Sequence, residues 1–201
     1  MDHNNLFLDN LMKIDIVKYG DEILRKVCKE AINNEFTKNV TKDLKDTLIL
    51  VENGAGLAAP QIGIDTRVFA TRNYRDDKRD EILIFINPTI EESSKETVVI
   101  PDGCLSIPNI FSNTKRHSFI NVTYLDEKFN KVSEELEGFQ SVVFQHELDH
   151  LNGVLFIDLL SEEEKLNLEV FLERKKREPN IAYIEGKIIE INLEANVQPA
   201  K

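Results

Sequence analysis

Two histidines four residues apart, His146 and His150, constrain the fold of this chain more than any other feature. The run from Phe139 to Asn152 has apolar residues at helical spacing, and Gly153, a residue typical of helix ends, follows it. Side chains at positions i and i+4 lie on one face of a helix, so both imidazoles can reach one cation. Glu147 lies beside His146, within reach of a water on that cation. The segment therefore predicts a central metal-binding helix.

A catalytic metal site of this kind requires a third protein ligand. Glu169 lies at about the sequence separation at which thermolysin-like enzymes place theirs, but its neighbours are typical of a solvated helix face: Glu163, Glu164 and Glu173. Cys104 follows Gly103 at a predicted break after an apolar strand, where a thiolate could project inward. Cys104 is the better candidate, although a single cysteine is also common as a small buried apolar residue.

Short β-rich runs and three helical segments make up the rest of the chain. The first helix is predicted over residues 39–52 with Asn53-Gly54 ending it, and the last opens with a capping box at Ser161–Glu164 and ends before Pro179. Strands are predicted at 67–71, 82–86, 97–100, 120–124 and 132–136, with a hairpin at 181–193. This order predicts an α+β fold: antiparallel sheets around the metal-binding helix, an N-terminal helix, and a C-terminal helix plus strand-like tail.

The predicted domain organisation has three parts. A second methionine, Met12, makes residues 1–11 an N-terminal extension, residues 12–160 hold the catalytic motifs, and residues 161–201 form the C-terminal helix and tail. The apolar residues Ile189, Ile191 and Leu193 alternate as in a strand, so we expect the tail hairpin to dock on a sheet edge, with a homodimer contact as one role.

The charge balance disfavours several classes of partner. The chain carries 36 acidic and 25 basic residues, a net charge of -11, so phosphate backbones and anionic membrane surfaces are repelled and direct nucleic-acid binding is not expected. Its apolar runs are too short to span a bilayer, and no secretory signal is visible. With only Cys28 and Cys104, a disulfide framework is not expected, which favours the cytoplasm.

Three segments in order resemble the signature motifs of peptide deformylases: Gly54-Ala55-Gly56-Leu57-Ala58-Ala59-Pro60-Gln61, Cys104-Leu105-Ser106, and Gln145-His146-Glu147-Leu148-Asp149-His150-Leu151-Asn152-Gly153. The resemblance extends over about residues 14–160. It implies a hydrolase that removes the N-formyl group from the N-terminal methionine of nascent proteins and releases formate. The expected partners are therefore formyl-methionyl nascent peptides near the ribosome exit.

The resemblance also implies the metal centre. Cys104, His146 and His150 would be the ligands, with water in the fourth position. Fe²⁺ is the expected metal, one per chain, and Zn²⁺, Ni²⁺ or Co²⁺ could substitute. Glu147 would take a proton from the metal-bound water as it attacks the formyl carbon, and would then pass that proton to the departing amine.

Substrate-binding roles follow from the same resemblance. The side-chain amide of Gln61 and the backbone N–H of Leu105 would stabilise the oxyanion. The methionine side chain would be enclosed by Ala55, Ile100, Phe139, Val142 and Val143. The peptide would add as an extended strand beside Gly54–Gly56 and Gly103, where glycines permit a sharp turn or close backbone approach. On a simpler interpretation, Gly54 is a helix C-cap, and both can hold. His117 matches no motif and is expected at the surface.

One position departs from the family pattern. Most deformylases have Glu two residues before the metal-binding Cys, whereas this chain has Asp102. We expect Asp102 to pair with Arg116 and to support the Cys104 loop, or else to cap the turn through Gly103. Two other functions stay open: a zincin-like metallopeptidase, and a non-catalytic deformylase-like protein.

Overall fold

The computed structural model of the chain describes residues 11–75, 78–175, 181–184 and 187–190, which form two compact units. The first unit combines the chain up to Val98 with Arg116–Leu155, and the second combines Val99–Lys115 with the chain from Phe156 onward. Both helices and strands are present with mostly antiparallel pairing, so the predicted α+β class is confirmed. The predicted domain boundaries after residues 11 and 160 stay a prediction.

The first unit contains a five-stranded antiparallel sheet and two α-helices. Its elements are α1 (Glu35–Leu50), β1 (Gly56–Ala58), β2 (Val68–Arg72), β3 (Ile82–Ser93), β6 (Phe119–Leu125), β7 (Lys131–Glu137) and α2 (Gly138–Leu151). The strand order is β1-β2-β3-β6-β7, so β1 and β7 are the edges. Every helix and strand predicted in this unit is present, and β1 was missed because three residues are too few to show alternation.

Helix α1 begins four residues before its predicted start. The side chain of Asn34 accepts a hydrogen bond from the backbone N–H of Thr37 at 2.9 Å, which is an N-cap. The helix ends at Leu50 with Val51 as its C-cap, so the interpretation of Gly54 as the C-cap is wrong. The carbonyl groups at the end of the helix instead accept hydrogen bonds from Arg72 of β2.

The core of the first unit is built around three phenylalanines. Phe144 of α2 lies edge-on to Phe69 and Phe85, with ring centroids 5.1 and 5.2 Å away. Cys28 belongs to the same cluster, 4% exposed, as expected for a small apolar residue. Burial raises the pKa of its thiol to about 11.

The second sheet falls mainly in the second unit. The elements are β4 (Thr97–Cys104), β5 (Ile107–His117), α3 (Glu162–Lys175), β8 (Ile181–Ile184) and β9 (Lys187–Glu190), and the strand order is β4-β5-β8-β9. Strand β8 pairs in parallel with β5 and antiparallel with β9, which confirms a tail hairpin docked on a sheet edge and adds one parallel pairing to the predicted pattern. Residues 191 and 193 of the predicted hairpin lie outside the described residues.

Two features of the second sheet differ from the predictions. Strand β4 continues through Gly103 to Cys104, so the predicted break before Cys104 is wrong, and the turn is Leu105-Ser106. Strand β5 was missed altogether. Its inward positions are largely polar, because Ser112, Thr114 and Arg116 are the buried residues of its second half. Polar inward residues conceal the apolar alternation that marks a strand.

Helix α3 opens with the predicted capping box. The Ser161 hydroxyl accepts from the Glu164 backbone N–H at 3.3 Å, and the Glu164 carboxylate accepts from the Ser161 N–H at 3.1 Å. Glu164 also accepts from Ser112 of β5 at 2.8 Å, so it is not the solvated residue that was predicted. Glu163 and Glu169 are exposed, as expected. None of the described helices is long and apolar enough to cross a bilayer.

Replacing Glu164 by Ala should lower the free energy of unfolding by up to about 1 kcal/mol at pH 7, the scale of a helix cap. Hydrogen bonds from Ser161 and Ser112 hold the pKa of Glu164 below its ordinary value of 4.5. A carboxylate with a lowered pKa stabilises the fold above its ordinary pKa and loses this effect as the pH falls. The difference from wild type in urea denaturation should therefore shrink below pH 4.5.

The exposed neighbour offers a control, since Glu163→Ala removes an equal charge from the same helical turn without removing the cap. Equal destabilisation by the two variants would show that the capping box contributes nothing.

Candidate active site

Helix α2 brings the two histidines together on one face. Their ring centroids lie 5.0 Å apart with an interplanar angle of 74°, and His146 and His150 are 9% and 1% exposed. The helix begins at Gly138, which adopts a left-handed φ of +58°, and Gly153, two residues after its end, has a φ of +71°. A Cβ on Gly153 would lie 2.5 Å from the carbonyl oxygen of Arg25, so this end admits only glycine.

Two glutamines fix how α2 lies against its neighbours. Gln145 donates to the backbone carbonyl of His117 at 2.9 Å and accepts from its N–H at 3.0 Å. One turn earlier, Gln140 donates to the Thr71 hydroxyl and accepts from the backbone N–H of Tyr74, both at 2.9 Å. His117 is therefore a half-buried partner of α2, and its placement as a surface residue is wrong. The sequence did not predict these contacts, because hydrophobic periodicity does not distinguish a glutamine that bonds to a neighbouring strand from one that faces solvent.

The first motif contacts the catalytic helix through Gly56. A Cβ on this residue would lie 2.7 Å from Cγ and Cδ of Glu147, closer than real side-chain atoms approach. Gly56 has no left-handed φ, so it is required by this close approach and not by a turn. Because Glu147 is 3% exposed and packs directly on the backbone of β1, its carboxylate is held in a defined position.

Gln61 lies in a buried 3-10 turn, Ala59–Ile62, that follows β1. Its side-chain oxygen accepts a hydrogen bond from the backbone N–H of Ala58 at 2.7 Å. This bond orients the amide, because the carbonyl end is the acceptor and the NH₂ end is therefore the end that can donate. The arrangement suits the predicted oxyanion role.

Arg72, the last residue of β2, is a site residue that the sequence analysis missed. Its guanidinium donates to the carbonyl oxygens of Gly54 and Leu48 at 2.9 Å and of Val51 at 3.2 Å. It thereby satisfies the end of α1 and holds the start of the first motif. The guanidinium partners of Arg72 are all backbone carbonyls. No acidic residue in the sequence therefore indicates its role.

The predicted pocket residues of the first unit lie on or near α2. Val142 and Val143 are buried on the turn before His146, whereas Phe139 is 43% exposed. Phe139 packs edge-on against Tyr74, with ring centroids 4.6 Å apart. Burial raises the pKa of Tyr74, so its hydroxyl stays protonated at neutral pH.

The second unit holds the Cys104 segment. Asp102 is buried and accepts from the Thr114 hydroxyl of β5 at 2.9 Å, while Cys104 is 9% exposed. A Cβ on Gly103 would lie 2.5 Å from the ring of Phe111, so this glycine is required by the aromatic ring packed over it.

The predicted site residues are thus distributed over both units. In the first unit, Arg116 forms an ion pair with Asp149 of α2 at 2.5 Å, an interaction that the sequence analysis missed. The predicted pairing of Asp102 with Arg116 stays a prediction, as do the roles of all the residues. The first unit holds Gly54, Ala55, Gly56, Gln61, Arg116, Phe139, Val142, Val143, His146, Glu147 and His150, and the second holds Ile100, Asp102, Gly103, Cys104 and Leu105.

Comparison with known proteins identifies the family. The family model of Polypeptide deformylase matches residues 13–166. The chain belongs to this family. It is 39% identical over 154 residues to the Peptide deformylase of Fusobacterium nucleatum, covering 75% of this chain and 85% of the relative.

Solved structures of peptide deformylases share the fold. The Thermotoga maritima crystal structure matches with a TM-score of 0.69 and 40% identity, covering 75% of this chain and 99% of that one. The Acinetobacter baumannii class I type b enzyme bound to Met-Ala-Ser matches with a TM-score of 0.68 and 28% identity, covering 74% and 99%. The family predicted from three motifs is confirmed, with its metal-dependent hydrolase activity, and the zincin-like and non-catalytic alternatives are not favoured.

Replacing Gly56 by Ala should lower turnover by at least about a hundredfold, because the new methyl group displaces the Glu147 carboxylate and misplaced catalytic groups lose about this much. Helix α2 should remain folded, so metal content and the far-ultraviolet circular dichroism should match wild type. Near-wild-type turnover in this variant would show that the contact between Gly56 and Glu147 does not fix the carboxylate.

Proposed function

We propose that the site on α2 removes the N-formyl group from the N-terminal methionine of nascent proteins and releases formate. The observation that carries this proposal is the packing of Glu147 on Gly56, with His146 and His150 on the same buried helix. Family membership supports the reaction, and the arrangement supplies a fixed carboxylate beside a pair of potential metal ligands.

We further propose that Cys104, His146 and His150 hold the metal. Imidazole nitrogen and thiolate sulfur suit a first-row transition metal, and both histidines are shielded from solvent. A bound divalent metal would act as a Lewis acid and lower the pKa of a bound water. Family membership is the ground for proposing Fe²⁺, and Zn²⁺, Ni²⁺ or Co²⁺ could replace it because each binds imidazole and thiolate ligands. Asp102 and Arg116 support this site, the latter through its ion pair with Asp149.

Glu147 acts as the general base and then as the general acid of the proposed reaction. Its carboxylate accepts a proton from the attacking water as the new C–O bond forms at the formyl carbon. It then donates that proton to the amine nitrogen as the C–N bond breaks, which yields formate and a free N-terminal amine. The Gln61 amide nitrogen and the Leu105 backbone N–H donate to the oxyanion between these steps.

The peptide binds along the β1 edge of the first sheet in this proposal. Strand β1 pairs with β2 on one side, and Gly54–Gly56, the segment that leads into β1, is the predicted contact for the substrate backbone. Backbone pairing demands little of the sequence that follows the methionine. The methionine side chain is enclosed by Ala55, Ile100, Phe139, Val142 and Val143.

The proposed substrate indicates where in the cell the protein acts. Formylated N-termini become available as chains leave the ribosome, so we propose that the protein acts near the ribosome exit in the cytoplasm. A net charge of -11 opposes direct binding to RNA. A homodimer through the C-terminal tail remains part of the proposal, and the place of β9 at an edge of the second sheet supports it.

The direct test is formate release from a formyl-Met peptide by protein loaded anaerobically with Fe²⁺. We expect stoichiometric formate and a free methionine amine, because hydrolysis of the formamide yields both. No formate from fully loaded, folded protein would refute the proposed activity.

Replacing Glu147 by Gln should lower turnover by at least about a hundredfold, the usual effect of losing a general acid–base. The amide keeps the size of the side chain, so the fold and the metal content should be unchanged. Full turnover in this variant would remove Glu147 from the mechanism.

Replacing Cys104 by Ala should sharply reduce the metal content measured by elemental analysis, because one of three protein ligands is lost. Cys28→Ala is the matched control and should retain its metal, since Cys28 belongs to the apolar core of the first unit. Full occupancy in Cys104→Ala would favour a ligand elsewhere, although the exposed Glu169 of the zincin alternative is poorly suited.

A further inference from the structure

The start of the first motif is held by a single arginine. Arg72 uses three of its guanidinium N–H groups on the carbonyl oxygens of Gly54, Leu48 and Val51. Its own backbone N–H donates to the carbonyl of Ala55 at 2.9 Å. The carbonyls of two consecutive residues of the motif are therefore bonded to one residue of β2.

These bonds matter because Gly54 and Ala55 lie just before β1, whose pairing with β2 begins at Gly56. Strand β1 has three residues and lies at an edge of its sheet, so the bonds from Arg72 extend a short ladder by two residues. The residue after Ala55 is Gly56, whose backbone packs on Glu147. Gly56 is held separately by its pairing with Thr71 of β2, so a displacement confined to Gly54 and Ala55 changes the edge that faces the peptide and leaves the contact with the carboxylate in place.

We propose that Arg72 is a positioning residue for the peptide: it holds Gly54 and Ala55 in the place where the backbone of the substrate binds. This inference rests on the proposed function, because it assumes that the peptide pairs with this edge. The planar guanidinium presents donors at Nε and Nη2 in a fixed geometry, which a lysine ammonium cannot reproduce.

The position of the segment predicts a dependence on substrate length. Formyl-Met-Ala-Ser has backbone groups beyond the methionine that can pair with the edge, whereas formyl-methioninamide has almost none. Arg72→Met, which keeps an unbranched apolar stem, should raise the KM for the tripeptide about tenfold, the effect of one strong hydrogen bond. The kcat for the tripeptide and the KM for the amide should change by less than about threefold, because neither depends on that pairing.

The matched control is Arg75→Met, three residues along the chain. Arg75 also donates through its guanidinium, but to the side chains of Glu134 and Asn73 and not to the first motif. This variant should lose stability without changing the ratio of KM values for the two substrates.

Amide hydrogen exchange gives a second readout that does not depend on catalysis. Residues 54–58 should exchange faster in Arg72→Met than in wild type, and should be unchanged in Arg75→Met. If Arg72→Met does not fold, Arg72→Lys takes its place, with a smaller change in the same direction expected.

The outcomes of these experiments are distinguishable. An equal loss of kcat/KM on both substrates would show that Arg72 has only a structural role and would overturn the inference. Unchanged amide exchange at residues 54–58 would also overturn it. Unchanged KM for the tripeptide would do the same. No formate from wild-type protein with either substrate would overturn the proposed function instead, while the exchange measurement would still report whether Arg72 holds the segment.

Discussion

Helix α2 is buried over residues 140–147, and this burial requires a partner for every polar side chain that it carries inward. Gln140 meets the requirement with Thr71 near the end of β2, and Gln145 and Asp149 meet it with the last two residues of β5. Rotation or sliding of the helix would break several of these bonds at once. The bonds that satisfy buried polar groups therefore also fix the direction in which the histidines point.

The apolar side of the helix contributes in a different way. Phe144 lies two residues before His146, which places it on the opposite face, where it meets Phe69 and Phe85 edge-on. Edge-to-face pairs have preferred angles as well as distances, so they restrain orientation more than aliphatic contacts do. The aromatic pairs on the opposite side of the helix therefore restrain the orientation of the face that carries the histidines.

The sequence predicted the helix that carries the two histidines better than it predicted the elements around that helix. Spacing alone places His146, Glu147 and His150 on one helix, because a helix has a fixed period and the motif lies within one turn. The reason for Gly56 could not be predicted, since it depends on the approach of a residue 91 positions away in the sequence. Strand β5 was missed because the inward residues of its second half are polar, and their partners lie on β4, α3 and α2.

The two cysteines of the chain differ in a way that has a practical use. With a pKa of about 11, Cys28 is thiolate in only about one molecule in 10⁴ at neutral pH, and the thiolate is the reactive form. Disulfide reagents such as Ellman's should therefore react slowly with Cys28 in the native protein, where only 4% of its surface is exposed. Most of the colour released by such a reagent should then report on Cys104, the proposed metal ligand, so the reaction can be compared before and after metal loading without an engineered label.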